Sequence, residues 1–468
     1  MSNPKKGRAQ FASKFGVVAA AAGSAIGLGN IWKFPYITGV YGGAAFLFVY
    51  LGFIALIGLP VMLSELVIGR KSRRNAYGAF HKLAPDSNWR YIGVFGVGAA
   101  FLILSFYGVV AGWSIRYIFF AFTDVFHSNS EAIGDYFEAY KKSAGLPVLF
   151  QLIFMFLTGF IVITGVQKGI ERYSKILMPL LLVIIIILDI RAITLPGAGK
   201  GMAFLFKPDF SKLNFEGVLS ALGHAFFSLS LGMGTLITYG SYINKKNNLV
   251  KTAFEVTVAD TIIAVLAGIA IFPAVFAFDI APDAGPGLIF KTLPNVFKHM
   301  HGGEFFSVLF FVLLTIAALT SAISILEVVV AYFSEELKMK RNVATVFATV
   351  LTSLLGIICS LSLGIFSDYT FFGFKVFDLI DHVASNMMLP LGGLFIALFI
   401  GWILGKYKVF KEIAHGGKLS GVFLSVYMFL VKFLAPIAIF IVFIKGVKLI
   451  EYFLSLFYSA GGQFYGLH

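Results

Sequence analysis

Charge is scarce in this chain. Only 13% of its 468 residues are Asp, Glu, Lys or Arg, against roughly 25% in soluble domains. Polar surface is therefore insufficient for a water-soluble globule, and 59% of the residues are hydrophobic. With a mean hydropathy of +0.89, most side chains must have lipid as their solvent. Cysteine is almost missing: Cys359 stands alone in an apolar run, which excludes an intrachain disulfide and a cysteine-built metal centre. Low-complexity tracts and polar linkers are absent, so residues 1–468 read as one integral domain. No cleavable signal peptide is evident, because the first apolar run begins near Phe15 and is long. No metal-ligand cluster, nucleophile–base arrangement or phosphate loop is visible either, and the chain does not read as an enzyme. His299 and His301 fall in an outer loop without carboxylate partners.

What is present is apolar length. A membrane-crossing helix needs about 20 mostly apolar residues. That rule gives eleven spans, near 15–41, 44–69, 92–122, 147–166, 173–195, 216–242, 252–278, 305–333, 343–366, 377–405 and 421–449, numbered 1 to 11 below. The remainder from Tyr452 is short and broken by glycine. The expectation is an all-α polytopic membrane protein.

The net charge is 37 − 23 = +14. In a soluble protein that excess would suggest nucleic acid; here it sorts by loop. The N-terminus (Lys5, Lys6, Arg8, Lys14), the loop after span 2 (Arg70, Lys71, Arg73, Arg74, Lys82, Arg90), the loop after span 6 (Lys245, Lys246, Lys251) and the loop after span 10 (Lys406, Lys408, Lys411, Lys418) are basic. The loop after span 3 is acidic, with Asp124, Glu131, Asp135 and Glu138. Basic loops face the cytoplasm, so the N-terminus is expected inside. An odd number of spans puts the C-terminus outside, although Lys445 and Lys448 at that end run against the rule. The plasma (inner) membrane is the expected location. Two stretches, Pro196–Glu216 and Ala281–Glu304, read as long outer loops. The second contains LIFKTLPNVFKHM, expected as short helices over the outer mouth.

Two spans conflict with their own helices. Span 1 carries Gly23-Ser24-Ala25-Ile26-Gly27-Leu28-Gly29-Asn30, and span 6 carries Ser228-Leu229-Ser230-Leu231-Gly232-Met233-Gly234. Each interior glycine weakens a helix by roughly 1 kcal/mol relative to alanine. Breaking a helix in lipid frees carbonyls and amides that cost several kcal/mol unless something binds them. Carbonyls suit Na+ or an ammonium, and amides at a half-helix N-terminus suit a carboxylate. Interrupted spans at matching places in two halves point to an inverted-repeat transporter, with repeats at about 15–195 and 216–405 and an extra helix at about 421–449. Span 7 also holds Asp260, a carboxylate at mid-span and so a functional candidate. Span 8 holds the adjacent hydroxyls Thr320 and Ser321, which in many spans only bond back to the preceding turn.

Span 1 runs on as NIWKFPYITGVYGGAAF. With Tyr107 in span 3, SLGMG in span 6, LTSAIS in span 8 and FDLIDH in span 10, the chain resembles the neurotransmitter:sodium symporter family over essentially its whole length. The resemblance implies a bacterial-type member with the leucine-transporter-type fold: 11 transmembrane helices, a 5+5 inverted repeat and broken helices 1 and 6. It implies symport of a neutral amino acid with sodium, with two ions expected. One ion would take the carbonyls of Gly23, Ile26 and Ala317 with the hydroxyls of Thr320 and Ser321. The other would take the Ala25 carbonyl, Asn30, Ser228, Asp260 and the substrate carboxylate. That carboxylate would meet the Leu28 and Gly29 amides and the Tyr107 hydroxyl. The ammonium would meet the carbonyls of Ala25, Phe227 and Ser228 and the Ser230 hydroxyl. The side chain would lie among Ile103, Phe227, Met233, Ala322 and Ile325.

The resemblance further implies an outer gate of Lys33 with Asp381 above a Tyr107–Phe227 lid. The inner gate would be Arg8 with Glu335, beside Phe11 and Tyr242. Family members that carry monoamines have Asp where Gly27 stands, so glycine favours substrates with their own carboxylate. An apolar pocket disfavours charged side chains, and Met233 adapts to leucine-sized or aromatic ones. The chain departs from the family in having Lys33 for the usual Arg, which loses the bidentate fork. His224 replaces a usual Gln. Ala264 and Asp260 stand where chloride-requiring members have Ser and Asn, and a fixed carboxylate implies chloride independence. Proton coupling through Asp260 or His224, and a substrate-binding receptor or channel, are the other readings. A homodimer is compatible with all of them.

Overall fold

The structure is a computed structural model, and it describes residues 8–278, 287–414 and 420–447. Lys5, Lys6, loop residues 281–286, Lys418, the last residues of span 11 and the C-terminal stretch lie outside the described residues.

Among the described residues every expected span is helical. Nine are continuous: Ala44–Ser72, Arg90–Phe122, Leu146–Ile163, Val166–Ile193, Leu249–Ala277, Gly303–Glu335, Arg341–Leu361, Val376–Ile413 and Gly421–Gly446. Span 1 is Lys14–Ala25 followed by Gly29–Val40, bent by 49°. Span 6 is Phe215–Ser228 followed by Thr235–Gly240. Spans 3 and 8 form the centre, with 72% of their apolar stretch buried, whereas spans 5 and 11 bury only 33% and turn broad apolar faces outward to lipid.

Proline shapes these helices. Proline donates no backbone hydrogen bond, and its ring crowds the carbonyl four residues back. The chain answers with one wide turn immediately upstream. Phe34 donates to the Gly29 carbonyl before Pro35, Leu59 to Ile54 before Pro60, and Leu293 to Leu288 before Pro294. Leu389 donates to Ala384 before Pro390, and Ala435 to Leu430 before Pro436. Each is a five-residue-back bond, which opens the ladder without breaking the span.

The loops expected on the outer side are more structured than their sequence suggests. Pro196–Glu216, expected as a loop, contains the helix Ala198–Phe206. Its Gly201 lies so close to the span 7 backbone that a Cβ would stand 2.5 Å from Pro273 N. Packing, not local periodicity, makes that helix. The acidic loop after span 3 carries the helix Ser130–Lys142. The expected short helices over the mouth are the wide turn Leu288–Thr292 and the helix Leu293–His299. Trp113, Phe137 and Phe290 interlock there with centroids 5.2–5.7 Å apart. Glu138 ties the two helices by pairing with Lys141 at 2.9 Å and Lys291 at 3.1 Å. Partial burial pushes its carboxyl up, but the two ammonium groups outweigh that and hold it below its usual value.

Candidate functional site

The site begins where two helices stop. In span 1 the last regular bond runs from Ile26 N to Ala22 O, and Ile26 then turns to an extended conformation (φ −75°, ψ 100°). In span 6 the helix ends at Ser228. Ser230, Gly232 and Gly234 all take positive φ, at +54°, +83° and +76°. Glycine is the residue that adopts this region without strain. At Gly232 a Cβ would also strike the Leu389 carbonyl of span 10. Both interruptions are buried, so their peptide groups need partners within the protein.

The freed carbonyls of span 1 face span 8. The Ser321 hydroxyl lies 3.2, 3.0 and 3.3 Å from the carbonyl oxygens of Gly23, Ser24 and Ile26. Thr320 Oγ1 is 3.0 Å from the Ala317 carbonyl and 3.2 Å from that of Ile316. The structure thus gathers Gly23, Ile26 and Ser321, with Thr320 and Ala317 paired on the next face of span 8. Neutral hard oxygens of this kind are the donors by which unwound spans hold Na+.

A second polar cluster lies on the other side of the break. Asn30 Nδ2 donates to Asp260 Oδ1 at 2.8 Å and to the Asp260 carbonyl at 3.1 Å, while its Oδ1 accepts from Gly27 N at 3.2 Å. The Ser228 hydroxyl reaches both Asp260 oxygens, at 2.9 and 3.0 Å. Asn30, Ser228 and Asp260 are each at most 1% exposed, so a carboxylate without countercharge is held in the core by hydrogen bonds alone. An isolated buried anion is costly, and a cation beside it removes that cost.

Between the breaks lies a small cavity of about 20 Å3, bordered by Ser24, Ala25, Gly27, Gly29, Ile103, Tyr107, Phe227, Ser230, Met233, Ser321 and Ile325. Above it a vestibule of about 130 Å3 is lined by Leu28, Trp32, Lys33, Tyr36, Phe106, Tyr107, Val110, Phe227 and Asp381. Tyr107 and Phe227 border both spaces and divide them. The Leu28 amide donates to the Tyr107 hydroxyl at 3.2 Å. Ala322, expected among the pocket residues, is fully buried but does not border the cavity; Ser24, not expected, does. The Ser230 hydroxyl, expected to face an ammonium, donates to the Ser24 carbonyl at 2.8 Å and ties the two broken spans together.

The two gates that the resemblance implies differ in their contacts. On the inner side Arg8 is ion-paired with Glu335, donates to Ser241 Oγ at 2.7 Å and sits 4.7 Å from the Tyr242 ring centroid. Phe11 seals the seam edge-on against Tyr239 and Tyr242. On the outer side the expected Lys33–Asp381 ion pair does not form. The Lys33 ammonium lies over the Phe227 ring at 4.4 Å, and Asp381 accepts from Ser385 at 2.7 Å. Each group has found a local partner, and a lysine lacks the planar fork that would lock a carboxylate at both oxygens.

Several members of the site escaped the sequence reading. Glu65, in span 2, is fully buried and accepts from Gly232 N at 2.7 Å, so it caps the broken span 6. Tyr50 places its hydroxyl 3.3 Å from Ser228 Oγ and 3.5 Å from Asp260 Oδ2. Glu327, fully buried, accepts from Tyr242 at 2.7 Å and from Arg341 at 3.0 and 2.7 Å, which ties the end of span 6 to spans 8 and 9. The rule that marks Asp260 as a mid-span carboxylate marks Glu65 and Glu327 equally. His224 is 2% exposed, lies between Phe34 and Tyr50, and has no hydrogen-bond partner on either ring nitrogen. No cluster of three or more His, Cys, Asp or Glu able to hold a metal occurs among the described residues.

Comparison with known proteins agrees with this geometry. The profile of the Sodium:neurotransmitter symporter family matches residues 8–133 and 141–461. The uncharacterized sodium-dependent transporter YhdH of Bacillus subtilis (strain 168) is 41% identical over 444 residues, covering 95% of this chain and 98% of its own. An uncharacterized sodium-dependent transporter of Haemophilus influenzae is 38% identical over 458 residues, covering 95% and 100%. The crystal structure of MhsT in complex with L-phenylalanine superposes with a TM-score of 0.87 at 49% identity, covering 94% of this chain and all of that one. The chain is a multi-pass membrane protein and a sodium-dependent transporter of amino-acid-transport type, not an enzyme. It belongs to the sodium:neurotransmitter symporter family.

Proposed function

We propose that the protein imports a neutral amino acid with an apolar or aromatic side chain, moving two sodium ions inward per substrate by alternating access and without chloride. The carrying observation is the cavity between the two breaks. Its walls are the apolar Ile103, Phe227, Met233 and Ile325, and its polar groups come from the breaks in spans 1 and 6, from Tyr107 of span 3 and from Ser321 of span 8. Gly27 borders this cavity, packed so closely that a Cβ there would strike the Ser321 hydroxyl and lie 2.9 Å from the Tyr107 hydroxyl. Glycine brings no carboxylate of its own, and the Leu28 amide and the Tyr107 hydroxyl beside it suit one brought by the substrate. The phenylalanine complex of a protein 49% identical to this one supports an aromatic or similarly apolar side chain.

One ion belongs with Gly23, Ile26, Ala317, Thr320 and Ser321, where it joins span 1 to span 8. The other belongs with Ala25, Asn30, Ser228 and Asp260, where the substrate carboxylate completes the shell. Each ligand then raises the other's affinity, and the coupling is reciprocal. Asp260 supplies a fixed negative charge in the cluster with Ser228 and Tyr50, which removes the need for a mobile anion. Each positive charge crossing 100 mV gains ~2.3 kcal/mol, and a tenfold gradient adds ~1.4 kcal/mol. Two ions therefore supply roughly 7 kcal/mol, enough for accumulation on the order of 10⁵-fold under tight coupling. The protein would lie in the plasma (inner) membrane with the N-terminus in the cytoplasm and the C-terminus outside, as the basic loops require.

Labelled phenylalanine uptake into proteoliposomes tests this directly. Uptake should vanish when choline replaces sodium and persist when gluconate replaces chloride. It should be steeper than first order in sodium. Uptake in choline equal to that in sodium, or strict dependence on chloride, would sink the proposal.

A further inference from the structure

The expected outer end of span 3 and the helix Ser130–Lys142 hold a group of polar side chains that the central site does not use. Arg116 and Tyr117 come from span 3. Tyr136 and Tyr140 stand one turn apart on the helix Ser130–Lys142. Tyr117 is fully buried and Tyr140 is 4% exposed, while Arg116 and Tyr136 are half-buried. The hydroxyls of Tyr117, Tyr136 and Tyr140 and the Arg116 Nε are all shielded from solvent, and none of the four has a hydrogen-bond partner. Protein interiors seldom leave such groups unpaired, and each one left so costs free energy.

These side chains are neighbours. The Tyr136 and Tyr140 rings lie parallel, with centroids 6.4 Å apart and 4° between their planes. Tyr117 meets Tyr136 edge-on at 6.2 Å, and the Arg116 guanidinium is 5.8 Å from the Tyr136 centroid. Burial pushes the Tyr136 and Tyr140 hydroxyls up, Tyr136 pushes Tyr140 further, and the Arg116 guanidinium opposes the shift in both. Both phenols therefore stay protonated at neutral pH and keep an O–H to donate. The ion pairs of this region, Glu138 with Lys141 and Lys291 and His127 with Glu304, leave Arg116 out. Glu138 itself lies about 200° round its helix from both Tyr136 and Tyr140.

One guanidinium and three phenolic donors, with no carboxylate among them, form a set that an anion satisfies by charge-assisted hydrogen bonds. From this arrangement we infer a binding site for a small inorganic anion of halide size, held by Arg116 and by the hydroxyls of Tyr117, Tyr136 and Tyr140. The half-buried Arg116 and Tyr136 give it a way in from solvent. The anion ties the end of span 3 to the helix Ser130–Lys142, which Glu138 already joins to Lys291 in the segment over the expected mouth. Tyr117 is ten residues beyond Tyr107, about 15 Å along the helix. The anion therefore binds apart from the central cavity and is a fixture of this collar. The inference is independent of the proposed symport.

The test uses the full-length protein, purified without sodium or amino acid, and bromide as the probe. Crystals grown in choline bromide should show an anomalous peak among Arg116, Tyr117, Tyr136 and Tyr140. Exchanging choline gluconate for choline bromide at constant ionic strength should raise the unfolding temperature along a saturable curve. Arg116→Gln should raise the half-saturating bromide concentration by about tenfold or more, and Arg116→Lys, which keeps the charge, should recover part of the affinity. Tyr140→Phe keeps the ring and its packing but removes one donor, and it should raise the same midpoint by several fold. A water molecule in place of the anomalous peak, or equal bromide midpoints for the parent, Arg116→Gln and Tyr140→Phe, would overturn the inference. Because neither arm involves sodium, amino acid or transport, its failure is distinguishable from failure of the symport reading.

Discussion

Adding one methyl group at Gly27 strikes both halves of the coupling at once. Gly27 has an ordinary negative φ, so Gly27→Ala introduces no backbone strain of the kind glycine relieves elsewhere in the site. The effect is steric and local. The new Cβ would overlap the Ser321 hydroxyl and lie 3.2 Å from Ser321 Cβ and 2.9 Å from the Tyr107 hydroxyl. Ser321 would have to rotate away from the carbonyls of Gly23, Ser24 and Ile26, and Tyr107 would have to retreat by about half an ångström. Overpacking of this size costs about 1–3 kcal/mol. Lost in full from the bound state, that is roughly a 5- to 150-fold fall in affinity. Gly29→Ala is the matched control, because its Cβ would only meet the edge of Phe227 at 3.2 Å and leave both hydroxyls in place. Equilibrium binding of labelled phenylalanine across a sodium titration separates the two. Gly27→Ala should raise the half-saturating sodium concentration by tens of fold and weaken phenylalanine at saturating sodium. Gly29→Ala should stay within a few fold of the parent. A normal sodium curve with Gly27→Ala would refute the assignment of Ser321 and Tyr107 to the two ligands.

Two other perturbations probe the groups that support the site. Glu65→Gln keeps an oxygen for the Gly232 amide and should preserve binding, whereas Glu65→Ala strands that amide. Leaving a buried donor unsatisfied costs ~1–3 kcal/mol, so phenylalanine affinity should fall by roughly five- to 150-fold; equal affinities for Gln and Ala would show that Glu65 does not hold the broken span. Glu327→Gln removes the countercharge of Arg341 and leaves one acceptor oxygen where two served Tyr242 and Arg341, which should loosen the proposed inner gate. With Cys359 replaced by Ser, a cysteine placed at Ser24, which is buried beside the central cavity, should then react several times faster with a thiol reagent applied from the cytoplasmic side; an unchanged rate would remove Glu327 from the gate.

The sequence carried the architecture because apolar length and glycine content are local properties. Eleven apolar stretches predict eleven spans, and the glycines at 23, 27, 29, 232 and 234 mark where two of them break. Spacing alone led only to a broken-helix transporter; sodium, the ligand sets and the gates came from the resemblance at NIWKFPY, Tyr107 and LTSAIS. What stayed hidden depends on packing. The helix Ala198–Phe206 exists because Gly201 seats it against Pro273, and nothing in its own period announces that. The capping role of Glu65 needs span 2 to pass beside Gly232, a contact between residues 167 positions apart. Ala322 follows Ser321 on a helix, and one step of 100° is enough to carry it off the cavity wall.

The unequal gates follow from the same chemistry that the sequence already displays. Arginine can hold a carboxylate, a serine and an aromatic face together, and Arg8 does so with Glu335, Ser241 and Tyr242. Lysine is a single, strongly hydrated charge on a flexible stem, and Lys33 settles on one ring while Asp381 turns to Ser385. The inner seal is therefore a network of several contacts, and the outer one depends on a pair that either partner can leave. On the proposed gate assignment, such an asymmetric pair would bias the resting protein toward the side from which sodium and substrate arrive. Sodium at its proposed place between spans 1 and 8 would add to that bias only because the Arg8 network is already closed. Lys33→Arg should then shift the balance the other way: a bidentate hold on Asp381 would slow substrate entry and lengthen its occupancy. Slower dissociation of labelled phenylalanine from Lys33→Arg than from the parent checks this, and unchanged dissociation would mean that the outer gate is set by Tyr107 and Phe227 alone.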